Sequence, residues 1–203
     1  MAFQLIDDLW RDLDRLARMG AARTDLLLDP AAWVVGSYRI GHALRDLPKP
    51  LRLPLSAMHK PMELFLRALT GVKLPGTAEI GGGLFLGHVG GIEVADGAHI
   101  GRDCNLSHGV ALEPRDGGAP WLGDRVYVGP GASIRGNVRI GNDAAIGSNA
   151  VVSTDVPDGA VVGRVPASSL AARVPGRKRP PMSEQVRGFL RAVLPRPTQL
   201  LLR

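Results

Sequence analysis

A chain of 203 residues, 45% of them hydrophobic, is long enough to bury a proper core as one or two domains. Its single cysteine, Cys104, excludes an intramolecular disulfide, and no apolar run approaches the roughly 18 residues that span a bilayer. The net charge of +6 comes without aromatic interleaving or a nucleic-acid motif, so no nucleic-acid partner is expected.

The N-terminus carries acids early and lacks the basic start and apolar run of a signal peptide, which leads to the expectation of a cytoplasmic protein. Residues 3–19 place Phe3, Ile6, Leu9, Trp10, Leu13, Leu16 and Ala17 on one helical face. Asp7, Asp8, Asp12, Arg11, Arg15 and Arg18 fall opposite. Asp29-Pro30 reads as an N-cap followed by proline at the first helical position. The second helix runs through Trp33, Val34, Tyr38 and Leu44, and the prolines at 48, 50 and 54 end it. A third helix, over about 56–69, leads onward. Residues 1–71 are thus a helical region, expected to cap whatever follows.

Residues 74–157 carry an aliphatic side chain at every sixth position: Leu74, Ile80, Leu86, then Val94 to Leu112, then Leu122 to Val152. Four residues after most of these comes a second small or aliphatic residue, such as Ala78, Cys104, Val126 or Ala144. Neither a helix of period 3.6 nor a strand of period 2 yields a strict repeat of six. A hexapeptide repeat specifies a parallel β-helix, with one short strand and one turn per hexad and three hexads per coil. The fold class is therefore mostly β, a β-helix over 72–167 between the helical region and a short C-terminal helix and tail. Cys104 sits at an inward repeat position and reads as a packed core thiol.

The repeat is interrupted twice. Two residues are inserted between Leu86 and Val94, and residues 113–121 replace a clean hexad with a loop expected to project from the coil. His88 and His108 each fall two places after an anchor, on adjacent coils. They should stack at about the 4.8 Å strand spacing, facing outward. A histidine can take a proton from a hydroxyl at neutral pH, so both are candidate catalytic residues. Nothing in the spacing of Glu93, Asp96 or Glu113 demands a metal, and none is expected. Beyond Val156 the pattern dissolves. From Arg164 onward nine Lys or Arg face one acid, Glu184, and 9 − 1 = +8. The segment 168–203 is a basic tail, with a short helix expected over 183–193 and contact with an anionic ligand or membrane surface as its functional readings.

The stretch GLFLGHVGGIEVADGAHIGRDCNLSHGVAL, followed by WLGDRVYVGPGASIRGNVRIGNDAAIGSNAVVSTDVPDGAVVGRVPA, resembles the hexapeptide-repeat acetyltransferases of the serine acetyltransferase type. The resemblance covers residues 72 to about 167. It implies a left-handed β-helix, an exception to the right-handed crossover rule, and homotrimers with acetyl-CoA in a groove between neighbouring β-helices. It also implies a histidine general base matching His88, and direct attack on the thioester without an acyl-enzyme. For acetyl-CoA it implies contacts from Arg164, Arg173, Arg177 and Lys178 and from the backbone around Ala144, Ala145 and Gly163. The chain departs from that family at Gly87 and Lys73, where aspartates are expected, and at Gly118 and Ala119, where an Arg-His pair is expected. Glu93, Asp96 or a residue of a neighbouring subunit is left to orient His88. On those departures the expected reaction is O-acetylation of a sugar or other small hydroxyl acceptor. Serine O-acetylation is the alternative, and a catalytically silent β-helix scaffold is the second.

Overall fold

The computed structural model describes residues 2–19 and 28–163. The short C-terminal helix and the basic tail expected from the sequence lie outside them.

Three helices precede the β-helix: α1 (Ala2–Arg18), α2 (Pro30–Ala43) and α3 (Lys49–Thr70). The start of α2 is as expected, with Asp29 Oδ1 accepting a hydrogen bond from the N–H of Ala31 at 2.8 Å. The proline reading fails one element later. Pro50 opens α3, and Pro54 and Pro61 sit inside it, so that helix begins seven residues before the expected Ser56. It ends at Gly71, whose φ of 66° is the left-handed cap that glycine adopts without strain. The packing side of α1 also differs from the expectation. Ile6 and Trp10 are exposed, while Asp12, assigned to the solvent side, is buried together with Leu16.

From Val72 the chain winds as a parallel β-helix with three faces. The first face holds β1 (Glu79–Ile80), β4 (His99–Ile100), β7 (Trp121–Leu122) and β10 (Arg139–Ile140). The second holds β2 (Phe85–Leu86), β5 (Asn105–Leu106), β8 (Tyr127–Val128), β11 (Ala145–Ile146) and β13 (Val161–Val162). The third holds β3 (Glu93–Val94), β6 (Ala111–Glu113), β9 (Ser133–Arg135) and β12 (Val151–Val152). All pairings between these strands are parallel, and they stack anchor on anchor: Ile80 on Ile100 and Leu122, Leu86 on Leu106 and Val128. Every aliphatic anchor of the repeat and its small partner four places on is buried, Cys104 among them.

The corners explain the glycines and the Asx residues. Gly71, Gly91, Gly109, Gly131 and Asn149 form one column with φ between 56° and 69°. At the corner between the first and second faces, Asp103, Arg125 and Asp143 take the same conformation. Arg125 there pairs through Nε with Asp143 Oδ1 at 2.8 Å, which raises its pKa. Beside that column the side chain of Asp124 accepts from the N–H of Arg102, Asn142 from Asp124, and Asp158 from Asn142, each at 2.8 Å. One Asx side chain per coil thereby satisfies a backbone donor that the strand ladder leaves open.

At the helical end of the solenoid the first coil has no coil above it, so its strand edge needs other partners. Polar side chains from α1 and α2 supply them. Arg39 donates to the carbonyls of Ile80 and Gly81, and Asp12 Oδ1 accepts from the N–H groups of Gly83 and Leu84 at 2.7 and 2.9 Å. Arg39 and Asp12 are both buried and bind each other, Nε to Oδ2 at 2.9 Å. Tyr38 Oη donates to the carbonyl of Ala78 and accepts from the N–H of Ile80. The expected cap is present: Leu16 of the apolar face predicted for α1 is buried, and buried polar groups from α1 and α2 close the strand edge.

Candidate active site

The two-residue insertion is a bulge at the corner between the second and third faces. Gly87 N–H donates to Leu106 O at 2.9 Å on one side of it, and Glu93 N–H to Val110 O at 2.8 Å on the other. The ladder therefore closes on both flanks. Six positions separate Leu86 from Ile92, where four separate Leu106 from Val110 and Val128 from Ala132. His88 and Val89 are the extra pair. Val89 turns inward and packs against the core, whereas His88 is directed away from it and is exposed. Gly90 and Gly91 return the chain to the coil through φ values of 138° and 62° that side chains rarely adopt.

His108 follows β5 at the same corner and is exposed. Its ring lies 6.1 Å from that of His88, centroid to centroid, at an interplanar angle of 49°. The structure thus brings the two predicted histidines together, displaced from direct stacking because the bulge carries His88 outward. A hydroxyl proton placed between them has two imidazoles as acceptors. Cys104 is fully buried and donates to Gly123 O at 3.1 Å, and burial pushes its thiol up to about 12.

The two carboxylates expected to orient His88 are committed elsewhere. Glu93 pairs with Lys73 at 3.5 Å, and Asp96 accepts the Thr77 hydroxyl. Two further histidines are structural: His42 Nδ1 meets Gly76 O at 3.0 Å, and His59 Nε2 meets Ser37 Oγ at 3.0 Å.

The second irregularity is more compact than the expected projecting loop. Arg115 and Gly118 exchange both backbone hydrogen bonds at 3.0 Å around Asp116 and Gly117, whose φ values of 53° and 79° make a two-residue hairpin. Its Gly118 lies flat against Asn137 of the next coil, where an added Cβ would collide with the asparagine side chain. This hairpin follows β6, so it stands at the corner between the third and first faces. The outer surface of the third face, with Glu93, Ala111 and Ser133, therefore runs between the histidine bulge and the hairpin. Arg135 lies there beside the hairpin, paired with Glu113 at 2.9 Å.

The backbone groups assigned to the cofactor are in part already used. Ala144 O accepts from Tyr127 N–H at 3.0 Å, and Ala145 N–H donates to Ala160 O at 2.9 Å. Gly163 follows β13 on the last described coil and is half-buried. Arg164, Arg173, Arg177 and Lys178 lie outside the described residues. Repeat arithmetic missed one feature it could have found. His99, Trp121 and Arg139 each precede an anchor of the first face, and they form a ladder. The His99 and Trp121 rings stack at 5.1 Å and 3°, with the Arg139 guanidinium 4.8 Å from the Trp121 centroid. A cleft of about 790 Å³ adjoins His99, between α1, α2 and the first face, lined by Asp8, Arg11, His42, Asp46 and Glu79 among others.

The family model for bacterial transferase hexapeptide (six repeats) matches residues 119–154. The serine acetyltransferase of Helicobacter pylori is 33% identical over 164 residues, which are 75% of this chain and 90% of that protein. A crystal structure of Neisseria gonorrhoeae serine acetyltransferase in complex with serine superposes with a TM-score of 0.67 at 28% identity, covering 87% of this chain and 69% of that one. A serine acetyltransferase in complex with CoA superposes at 0.70 and 28% identity, covering 82% of this chain and 70% of the other. The shared fold carries the left-handed wind of the coil.

Proposed function

Because the chain belongs to the hexapeptide-repeat acetyltransferases of the serine acetyltransferase type, we propose that it transfers acetyl from acetyl-CoA to the hydroxyl of a small acceptor, L-serine first, with His88 as general base. The sequence departures put a sugar hydroxyl ahead of serine. The relatives and solved structures that match are serine acetyltransferases, one of them solved with serine and one with CoA, so serine moves to first place.

The observation that carries the proposal is the bulge, which departs from the repeat to hold an imidazole outside the core, 6.1 Å from a second one. In the reaction, His88 removes the acceptor's hydroxyl proton as the oxygen attacks the thioester carbonyl. The tetrahedral intermediate collapses with cleavage of the C–S bond, and the imidazolium returns its proton to the departing CoA sulfur. His108 holds the second ring at the same corner and serves as a positioning or relay group. The co-substrate brings a 3′-phosphate and a diphosphate, for which Arg164, Arg173, Arg177 and Lys178 are the proposed partners. A trimer belongs to the proposal, since a neighbouring copy over the third face would close a cleft on the bulge.

One observation keeps a second acceptor class in the assay. Lys73 is tied to Glu93, and Ala119 has no proton-bearing side chain, so two positions where the resemblance puts serine-handling groups cannot play that part. The test is acceptor-dependent release of CoA thiol, with L-serine and a panel of small hydroxylated acceptors including sugars. Release with serine that is lost in His88→Ala supports the proposal. No release at saturating serine, with turnover on a sugar, transfers the reaction to that acceptor. Unchanged turnover in His88→Ala removes the histidine from the mechanism.

A further inference from the structure

Helix α3 is built inside out. The side chains it turns toward the rest of the chain are mostly polar: Arg52, Ser56, His59 and Glu63 are half-buried along with Leu55, joined by Leu66 and Thr70 at the C-terminal end. Most of its large apolar side chains point away. Leu53 is 66% exposed, Met58 77%, Leu64 57%, Phe65 63% and Leu69 67%, with Leu51 and Met62 about half exposed. At 100° per residue, the five charged residues Lys49, Arg52, Lys60, Glu63 and Arg67 all fall within a sector of roughly 80°. The remaining arc of about 280° carries no charge. A soluble surface helix distributes these features the other way round.

Two properties of the arc decide what covers it. A seam for one partner helix is a stripe of about 100°, and Leu51, Met58, Met62, Phe65 and Leu69 would fill one, but Leu53, Leu64, Ala57 and Ala68 would then remain bare on the far side. A lipid surface covers the whole arc at once. The charges bordering it are also nearly all of one sign. Lys49, Arg52, Lys60 and Arg67 face a single acid, Glu63, which Lys60 binds at 2.9 Å, on a chain whose net charge is +6. That is the charge pattern of a helix lying in an anionic interface with its cations reaching to the headgroups. Among the described residues no helix is long and apolar enough to cross a membrane, so α3 lies along one rather than through it.

We propose that α3 is a monotopic membrane contact that holds this protein on an anionic lipid surface through Met58, Met62, Leu64, Phe65 and Leu69. Gly71, its cap, stacks beneath Gly91 of the histidine bulge, where a Cβ on Gly71 would lie 3.0 Å from the Gly91 nitrogen. Lipid contact therefore fixes the candidate active site close to the membrane plane.

The full chain is sedimented with vesicles of phosphatidylcholine alone and of phosphatidylcholine mixed with phosphatidylglycerol. Wild type pellets with the mixed vesicles, and less so as salt rises. Met62→Glu/Phe65→Glu, which changes two exposed side chains and leaves the far-UV circular dichroism unchanged, weakens this binding at least tenfold. The basic tail is present in both proteins, so its attraction cancels in the comparison. Phe65→Trp gains fluorescence that brominated acyl chains quench. Wild type that stays in the supernatant, a double variant that pellets equally, or fluorescence of the Phe65→Trp variant that brominated chains leave unquenched each overturns the proposal. A double variant that keeps its vesicle binding and loses a larger assembly in sedimentation velocity assigns the face to a second copy instead.

Discussion

Replacing Arg39 by methionine is the sharpest test of how the solenoid is closed. Methionine keeps the apolar stem of the side chain and removes the guanidinium. Arg39 donates to both Asp12 oxygens and to the carbonyls of Ile80 and Gly81, so the variant leaves a buried carboxylate and two strand-edge carbonyls without that partner. Burial already pushes the Asp12 carboxyl above its usual range, against the pull of Arg39 and two backbone N–H groups. Breaking a buried ion pair by removing one member costs about 3–5 kcal/mol. Urea unfolding followed by circular dichroism reads the loss as a lower midpoint at unchanged slope. The companion is Asp12→Leu/Arg39→Met. A buried pair that satisfies only itself can be replaced by apolar residues at little cost. This pair also satisfies Ile80 O, Gly81 O, Gly83 N–H and Leu84 N–H, each worth about 1–3 kcal/mol when left unpaired. The double variant should therefore stay at least about 3 kcal/mol below wild type by that reckoning. Wild-type stability in the double variant, or a loss under about 1 kcal/mol in Arg39→Met, refutes the capping role.

Three further outcomes follow from the described geometry. His88→Ala lowers kcat by about 10²–10⁴-fold in the CoA-release assay, the usual share of a general base, while the urea midpoint stays put because the ring lies outside the core. Gly117→Ala, at a φ of 79°, destabilises by about 1–2 kcal/mol and disorders the hairpin, read by urea unfolding. Alkaline titration weakens the fold. Cys104 and Tyr38 are both pushed up to about 12 by burial, from ordinary values of 9.0 and 10.0. The unfolded chain releases both protons first, so the stability they contribute is present below pH 9 and is lost as pH rises toward 12. Each group contributes a slope of up to about 1.4 kcal/mol per pH unit within its own window. Cys104→Ala removes one share of that slope, and in wild type a disulfide reagent labels Cys104 at about pH 8 only after unfolding.

The β-helix is legible because its core is one-dimensional. Leu86, Leu106 and Val128 occupy the same kind of site, so one spacing rule places them all, and it also locates the bulge where the rule slips. The helical cap is not legible in that way. Asp12 reads as a surface acid on a helical wheel, because the strand edge that binds it lies 71 residues away in sequence. Pro54 reads as a breaker because propensity does not see the contacts that keep α3 continuous across it. The expected carboxylate partner for His88 failed for a related reason. Glu93 is near in sequence, but the coil above gives it Lys73. The ladder of His99, Trp121 and Arg139 was within reach of the same arithmetic, since each precedes an anchor.

The bulge separates what this chain folds by from the imidazole proposed as its base. Excising His88 and Val89 together would restore an unbroken hexad register and leave the anchor stacking of the neighbouring coils in place. On that proposal, a deletion of two codons switches such a protein between worker and bystander, with little penalty for selection on folding to detect. Lineages of this architecture should accumulate silent members at this corner sooner than at the clamped end.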